Sequence, residues 1–163
     1  FWGFGGEAAK IAYDGRNGPA RAAAGASLMD LKTSLGISAS GLRAQSLRMR
    51  VIAENLANQD SVAEAPGGTP YRRRVASFAA AVDRANGGAG VKVRSIEADR
   101  SDFIRVYQPG HPAADGKGYV LKPNVNALVE TADMKAAQHS YEANLNAIEA
   151  AKAMTMRTID LLK

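Results

Sequence analysis

Both ends of this 163-residue chain carry an apolar stripe that repeats every seven residues. Leu35, Leu42, Met49 and Leu56 keep that interval near the N-terminus, and Met134, Tyr141, Ile148, Thr155 and Leu162 keep it at the C-terminal end. A seven-residue repeat holds one face of an α-helix toward a partner, as along a coiled-coil seam. A stripe this narrow encloses no core alone, so each segment requires another helix. In the first segment Ala39, Ile52 and Ala53 share the apolar side with Ser38, Gln45 and Ser46, while Arg43, Arg48, Arg50 and Glu54 fall largely elsewhere. In the second, Gln138, Leu145, Lys152 and Ile159 each follow a stripe residue by four positions, and no Pro or Gly interrupts 126–163. The pattern predicts helices over Lys32–Asn58 and from about Asn126 onward, with Pro123 resisting helix and Asn124 or Asn126 capping the second one.

The stretch between them, Gln59 to Pro123, is rich in Gly, Pro, Asp and Ser. Period-two alternation at "YRRRVASFAAAV" (71–82), "GVKVRSIEAD" (90–99) and "DFIRVYQPG" (102–110) predicts strands, separated by the turns "RANGGAG" and "QPGHPAADGKG". The expected fold is mainly α with a small β insert (α+β). Long terminal helices pair antiparallel as a coiled-coil-like inner domain, and the β-rich middle domain caps one end. The expected boundaries are an extension over 1–28 (non-native or disordered, or else a helical arm near Glu7–Tyr13), an N-terminal helix over 29–60, a linker and β-rich outer domain over 61–123, and a C-terminal helix over 124–163.

Chemistry has little to attach to. The chain has no cysteine and only two histidines, His111 and His139, so thiolate or histidine-rich metal sites are not expected. "GGTP" (67–70) lacks the Gly-Lys-Ser/Thr ending of a phosphate loop and predicts a turn. His111, in "PGHP", has no nucleophile-elbow serine to serve, and structural roles are expected for both histidines. The net charge is +5, which is compatible with an anionic partner. Tyr71 with Arg72, Arg73 and Arg74 could stack a base and meet phosphates, which sets a nucleic-acid-binding module as one alternative. Alternate arginines on a strand point to opposite faces, so a solvated strand edge guarded by charge is the favoured reading. No catalytic, cofactor or metal site is expected, nor a membrane span or a cleaved signal peptide.

The segment "SLGISASGLRAQSLRMRVIAENLANQDS" (34–61) resembles the N-terminal signature of bacterial flagellar rod and hook axial proteins, through Ser40–Gly41–Leu42, Ala44–Gln45 and the "ENLAN" of Glu54–Asn58. "GGTPYRRR" (67–74), "RVYQPGHPAADGKGYVLKPNVN" (105–126) and "SYEANLNAIEAAKAM" (140–154) narrow the resemblance to a proximal-rod subunit, and it runs from Met29 to Lys163. His139–Ser140 departs from the arginine–alanine usual there, which bears on one intersubunit polar contact.

The resemblance implies a structural subunit and no enzyme. It implies terminal helices packed into the inner layer of a helical assembly, partners that are further copies and other rod proteins, and a place in the flagellar basal body. It also implies passage through the flagellar export apparatus without a cleaved signal, and helices that order on assembly. The expected assembly interface is Leu35, Gly41, Leu42, Gln45, Met49, Ile52, Asn55, Leu56, Asn58, Met134, Tyr141, Asn144, Leu145, Ile148, Ile159 and Leu162. Gly41 is expected to admit a neighbour's backbone, and Asn55 and Asn58 to bond at the helix end and between subunits. Another axial subunit of the same family is the nearest alternative.

Overall fold

A computed structural model describes residues 19–83 and 88–160. In chain order these form helix α1 (Pro19–Ala57), strands β1 (Arg74–Asp83) and β2 (Gly88–Ala98), strands β3 (Ile104–Tyr107) and β4 (Tyr119–Lys122), and helix α2 (Ala127–Asp160). This is an α+β chain of two long helices and two antiparallel hairpins.

Helix α1 starts at Pro19, ten residues before the expected boundary at Met29. Proline suits a first helical position, because its missing N–H has no partner there anyway. The region expected as an extension is therefore helical from Pro19 on, and the suggested arm at Glu7–Tyr13 lies outside the described residues. At the other end Asn58 closes the helix: its Nδ2 donates to the Glu54 carbonyl at 2.8 Å, and its backbone N–H reaches the same oxygen at 3.1 Å. Of the two candidates for capping α2, Asn126 does so, its Oδ1 accepting from the backbone N–H of Leu128 at 3.0 Å.

The helices run antiparallel, with Asn55 against Glu130, Arg48 against Asp133 and Gly41 against Asn144. A Cβ placed on Gly41 would lie 2.8 Å from Asn144 Oδ1. The close approach expected of a neighbour at Gly41 is thus made by the chain's own α2. Gly36, one and a half turns earlier, has nothing within 4 Å of such a Cβ. The two glycines should respond oppositely. Gly36→Ala gains about 0.5–1 kcal/mol from helix propensity alone. Gly41→Leu costs about 1–3 kcal/mol through overpacking. Chemical denaturation of the two variants checks the pair; equal shifts would contradict the contact.

The inward face of α2 differs from the expected one. Its buried positions are Glu130, Ala137 and Ala151. Gln138, Leu145, Lys152 and Ile159, expected at the seam, are exposed. Met134, Tyr141 and Ile148 hold as inner positions at half burial, but the intervening inward residue follows them by three positions, where small side chains let α1 come close.

Only part of the insert sits at one end of the helix pair, where Lys122 of β4 bonds Asp60 at 3.2 Å. The β1–β2 hairpin lies along α1: a Cβ on Gly88 would meet Thr33 Cγ2 at 2.8 Å, Ser40 Oγ accepts the Val91 N–H at 2.9 Å, and Asn55 bonds Arg74. Residues 33–55 span about 33 Å of helix. The ten residues of β1 span about the same length. Helix α1 is therefore covered on two sides, so Ala44, Val51 and Ile52 are buried while Leu35, Leu42, Met49 and Leu56 keep partial exposure.

Strand β1 begins at Arg74, three residues after the expected start at Tyr71, and β4 was not expected as a strand. Four residues beside Pro123 carry too little alternation to be recognised. Gly118, at φ 81°, closes the β3–β4 hairpin where a Cβ would meet Tyr107 Cε2 at 2.9 Å. His111 Nδ1 accepts the Ala113 N–H at 3.1 Å within that loop, a role internal to the turn.

Candidate functional site

The last turn of α1, the first turn of α2 and the segment leading into β1 meet at a saturated polar joint. Asn55, 1% exposed, is its centre. Its Nδ2 donates to the Arg74 carbonyl at 2.8 Å and to Glu130 Oε2 at 3.0 Å. Its Oδ1 accepts from the Tyr71 hydroxyl and from the Arg74 N–H, each at 2.9 Å. All four hydrogen-bonding positions of the amide are used. Because Asn55 takes both the N–H and the C=O of Arg74, it acts as one rung of a sheet and covers the free edge where β1 begins. The hydrogen bonding expected of Asn55 at the helix end is thus made inside the chain, and it engages every position of the amide.

Glu130 is fully buried, with 0% exposure. An isolated buried carboxylate is costly. Here Arg73 Nε donates to its Oε1 at 2.6 Å while Asn55 holds the other oxygen. Its place in the first turn of α2 also sets it at the positive end of that helix's dipole. Arg73 reaches further, to Asp99 Oδ2 at 3.4 Å and Asp133 Oδ2 at 3.9 Å. Its backbone N–H donates to Asn124 Oδ1 at 2.8 Å, and Asn124 Nδ2 donates to Ser101 Oγ at 2.8 Å. The joint thus ties both helices to the region between β2 and β3.

The charges respond to this setting. Burial opposes the charge on Arg73, but hydrogen bonding to Glu130, attraction by it and the same two effects from Asp99 outweigh the burial and raise its pKa above the ordinary arginine value. Burial raises the Tyr71 hydroxyl above its ordinary value, with Arg74 working against it and Glu54 and Glu130 adding to it. The Ser101 N–H holds the Asp99 carboxyl below 3.8 against a smaller opposing effect of burial, and Arg73 adds to the lowering. In the β3–β4 loop the N–H groups of Tyr119 and Lys117 lower Asp115 in the same way.

The arginine run is consumed within the chain. Arg72 donates to the carbonyls of Asp99 at 2.9 Å and Ser101 at 3.0 Å, and its guanidinium stands 4.2 Å over the Phe103 ring. Arg73 belongs to the joint, and Arg74 pairs with Glu54 at 3.3 Å. The expected solvated edge holds only at Arg74, which is exposed at the start of β1, while Arg72 and Arg73 are anchored within the chain because carboxylates, carbonyls and a ring lie within their reach. The same engagement leaves the nucleic-acid alternative without support.

Of the expected interface residues, Ile52 and Asn55 are buried inside the chain, and Gly41 is closed by Asn144. Leu35, Leu42, Gln45, Met49, Leu56, Asn58, Met134, Tyr141, Asn144 and Ile148 are half-buried. Leu145 and Ile159 stand exposed, and Leu162 lies outside the described residues. Glu130 is the residue that sequence reasoning overlooked. Its signal was a carboxylate seven positions before Ala137, on the inward face of a helix that otherwise buries alanine.

Among the described residues no group of three or more His, Asp or Glu side chains is placed to hold a metal, and no helix is long and apolar enough to cross a membrane. Polar groups in this chain fix one element upon another, and apolar helix positions are left uncovered, the make-up of a structural subunit. Residues 117–161 match the family described as flagellar basal body rod FlgEFG protein C-terminal. The chain is 46% identical over 133 residues to the flagellar basal-body rod protein FlgC of Agrobacterium fabrum, covering 82% of this chain and 96% of that protein. It is 42% identical over 145 residues to FlgC of Bacillus subtilis, covering 80% and 97%, and 42% identical over 135 residues to FlgC of Salmonella typhimurium, covering 82% and 98%. The chain belongs to the FlgC family of flagellar basal-body rod proteins. It is a structural component of the flagellar basal body, and its family is non-enzymatic.

Proposed function

We propose that this chain is a proximal-rod subunit that assembles helically, with further copies and with other rod proteins, through α1 and α2 and so carries torque. The observation that supports this reading is the incomplete cover of the helix pair. Leu35, Leu42, Met49 and Leu56 remain half-exposed after α2 and the β1–β2 hairpin have packed on α1, and Leu145 and Ile159 face outward from α2. Apolar positions repeating at heptad spacing and left uncovered suit packing against further helices. Residues 29–60 and 124–163 form the inner, coiled-coil-like domain in this reading, and 61–123 the outer one. Close-packed helices resist shear, which is what a torque-bearing shaft requires. The subunit reaches the rod through the flagellar export apparatus.

The joint modifies the idea that both helices order only on assembly. Asn55, Glu130 and Arg73 tie the adjoining turns to the β insert within one chain, so those turns fold in the free subunit and the distal halves order on docking. Deletion of the chain from the source bacterium tests the function. Loss of swimming and of the rod in isolated basal bodies, both restored by the chain, is expected; motile cells with intact basal bodies would overturn it.

A further inference from the structure

The outer edge of β1 is open where Asn55 leaves off. Backbone groups of an antiparallel strand point alternately toward the partner strand and away from it. The Arg73 carbonyl accepts the Asp99 N–H across the hairpin at 2.8 Å, whereas Asn55 takes both the N–H and the C=O of Arg74 from outside. The register break falls between Ser77 and Phe78 and adds Arg94 to β2, so the alternation along β1 is unbroken. The N–H and C=O of Ala76, Phe78, Ala80 and Val82 therefore point outward with those of Arg74. The far end agrees: Val91, opposite Ala80, turns its N–H away from β1 to Ser40 Oγ at 2.9 Å. Among the described residues no hydrogen bond engages the outward groups of Ala76, Phe78, Ala80 or Val82. Native edges are ordinarily guarded by charge, proline or a covering element. Strand β2 carries Lys92 and Arg94, and α1 lies against its first residues. Residues 75–82 hold neither charge nor proline, and Val82 is 68% exposed.

Ala76 and Phe78 also line a cavity of about 280 Å³, whose other walls include Val51, Ile52, Arg48 and Asp133. Arg73, Arg74 and Glu130 complete its charged lining, which sets three arginines against two carboxylates. Arg48 gives one nitrogen to Asp133 and Arg74 gives one to Glu54, so both guanidinium groups keep N–H donors to spare. We propose that this edge binds the uncharged, extended C-terminal segment of another protein, added to β1 antiparallel with its terminal carboxylate at the arginines. In strand addition the main chain supplies the affinity, and here the outward rungs of β1 receive it. Charge selects the direction. An antiparallel segment brings its C-terminal end to Arg74, and a carboxylate there takes the spare arginine donors. A parallel segment would bring its N-terminal end to the same cations. Asn55 already fills the rung at Arg74, so the added strand stops at Ala76, which suits a chain end. The site uses neither helix face of the assembly reading, and the two stand or fall separately.

The probe is a short N-acetylated peptide of alternating valine and threonine with a free C-terminal carboxylate, added to the full chain at millimolar concentration. Hydrogen exchange read by NMR at single amides is expected to slow about tenfold at Ala76, Phe78, Ala80 and Val82. Ser77, Ala79 and Ala81 should not change, because β2 already holds them. The same peptide as its C-terminal amide is expected to bind about tenfold more weakly, for want of the charge-assisted bonds. Ala80→Pro removes one outward N–H and leaves the ladder to β2 intact, since proline is tolerated on edges. It is expected to abolish binding with the unfolding midpoint near the parent's. Unchanged exchange at the outward amides, equal slowing of both sets, or binding kept by a folded Ala80→Pro chain overturns the site. Equal binding of the amidated peptide overturns the place of the carboxylate. Slowing of the outward amides on concentrating the chain alone would mean that a second copy's edge fills the site, which also overturns the proposal. If Ala80→Pro does not fold, the exchange pattern of the parent with peptide decides.

Discussion

Replacing Arg73 with alanine is expected to cost about 3–5 kcal/mol of unfolding free energy, because it strands a buried charge. Glu130 has 0% exposure, and Arg73 Nε supplies the 2.6 Å bond to one of its oxygens. Without the guanidinium, the carboxylate keeps only the Asn55 amide, in surroundings that exclude water. Arg73→Lys is no rescue, since an ammonium cannot serve Glu130, Asp99 and Asp133 together from the fixed planar fork that the arginine presents. Removing both members of the pair, as in Arg73→Ala with Glu130→Leu, should restore much of the loss, because the double variant no longer buries an unpaired charge. Urea denaturation followed by circular dichroism measures all three variants. An Arg73→Ala chain within about 0.5 kcal/mol of the parent, as for an ordinary surface substitution, would show that the joint carries no such energy.

Asn55→Asp is the second large effect, and its interest lies in how little it changes in shape. The substitution replaces two N–H donors by an acceptor. The Arg74 carbonyl at 2.8 Å and Glu130 Oε2 at 3.0 Å would then each face an oxygen, one of them a second carboxylate. Leaving a buried acceptor unsatisfied costs about 1–3 kcal/mol, and more where a charge is involved, so a loss of about 3 kcal/mol or more is expected. Hydrogen exchange should localise the damage to the last turn of α1, the first turn of α2 and the start of β1. Exchange unchanged at these amides would refute the assignment of Asn55 as the rung that holds β1. Asn55→Leu, which removes donors and acceptors together, separates the loss of hydrogen bonds from the added repulsion.

Much of this fold was legible because its strongest signal is periodic. The seven-residue intervals on Leu35 and Met134 announce helices with one face turned to a partner, and Pro123 and Asn126 mark where the second one starts. The interruption between them, with its short alternating runs, announces hairpins. What misled was side-chain size. On α2 the large residues Leu145 and Ile159 outweighed Ala137 and Ala151 as candidates for the inner face, whereas a tightly approached helix buries its alanines and turns the leucine outward. Arg72, Arg73 and Arg74 read as a surface run because charge is ordinarily solvated. The partners of Arg73, which are Asp99, Glu130 and Asp133, lie 26 to 60 positions further on, and Glu54, the partner of Arg74, lies 20 positions back, where no local pattern connects them.

The amino-acid order alone thus determined which segments are helical, where the chain turns, that it offers no cysteine chemistry, and which family signature it carries. These follow from interactions between near neighbours: backbone propensity, heptad spacing, and glycine and proline at turns. The tertiary structure decided that the β1–β2 hairpin lies along α1, that Gly41 admits Asn144, and that Asn55 and Glu130 are bonded inside the subunit. Those outcomes depend on which distant groups reach one another once the helices are in place, and a buried carboxylate takes its partner from whichever arginine the fold brings to it.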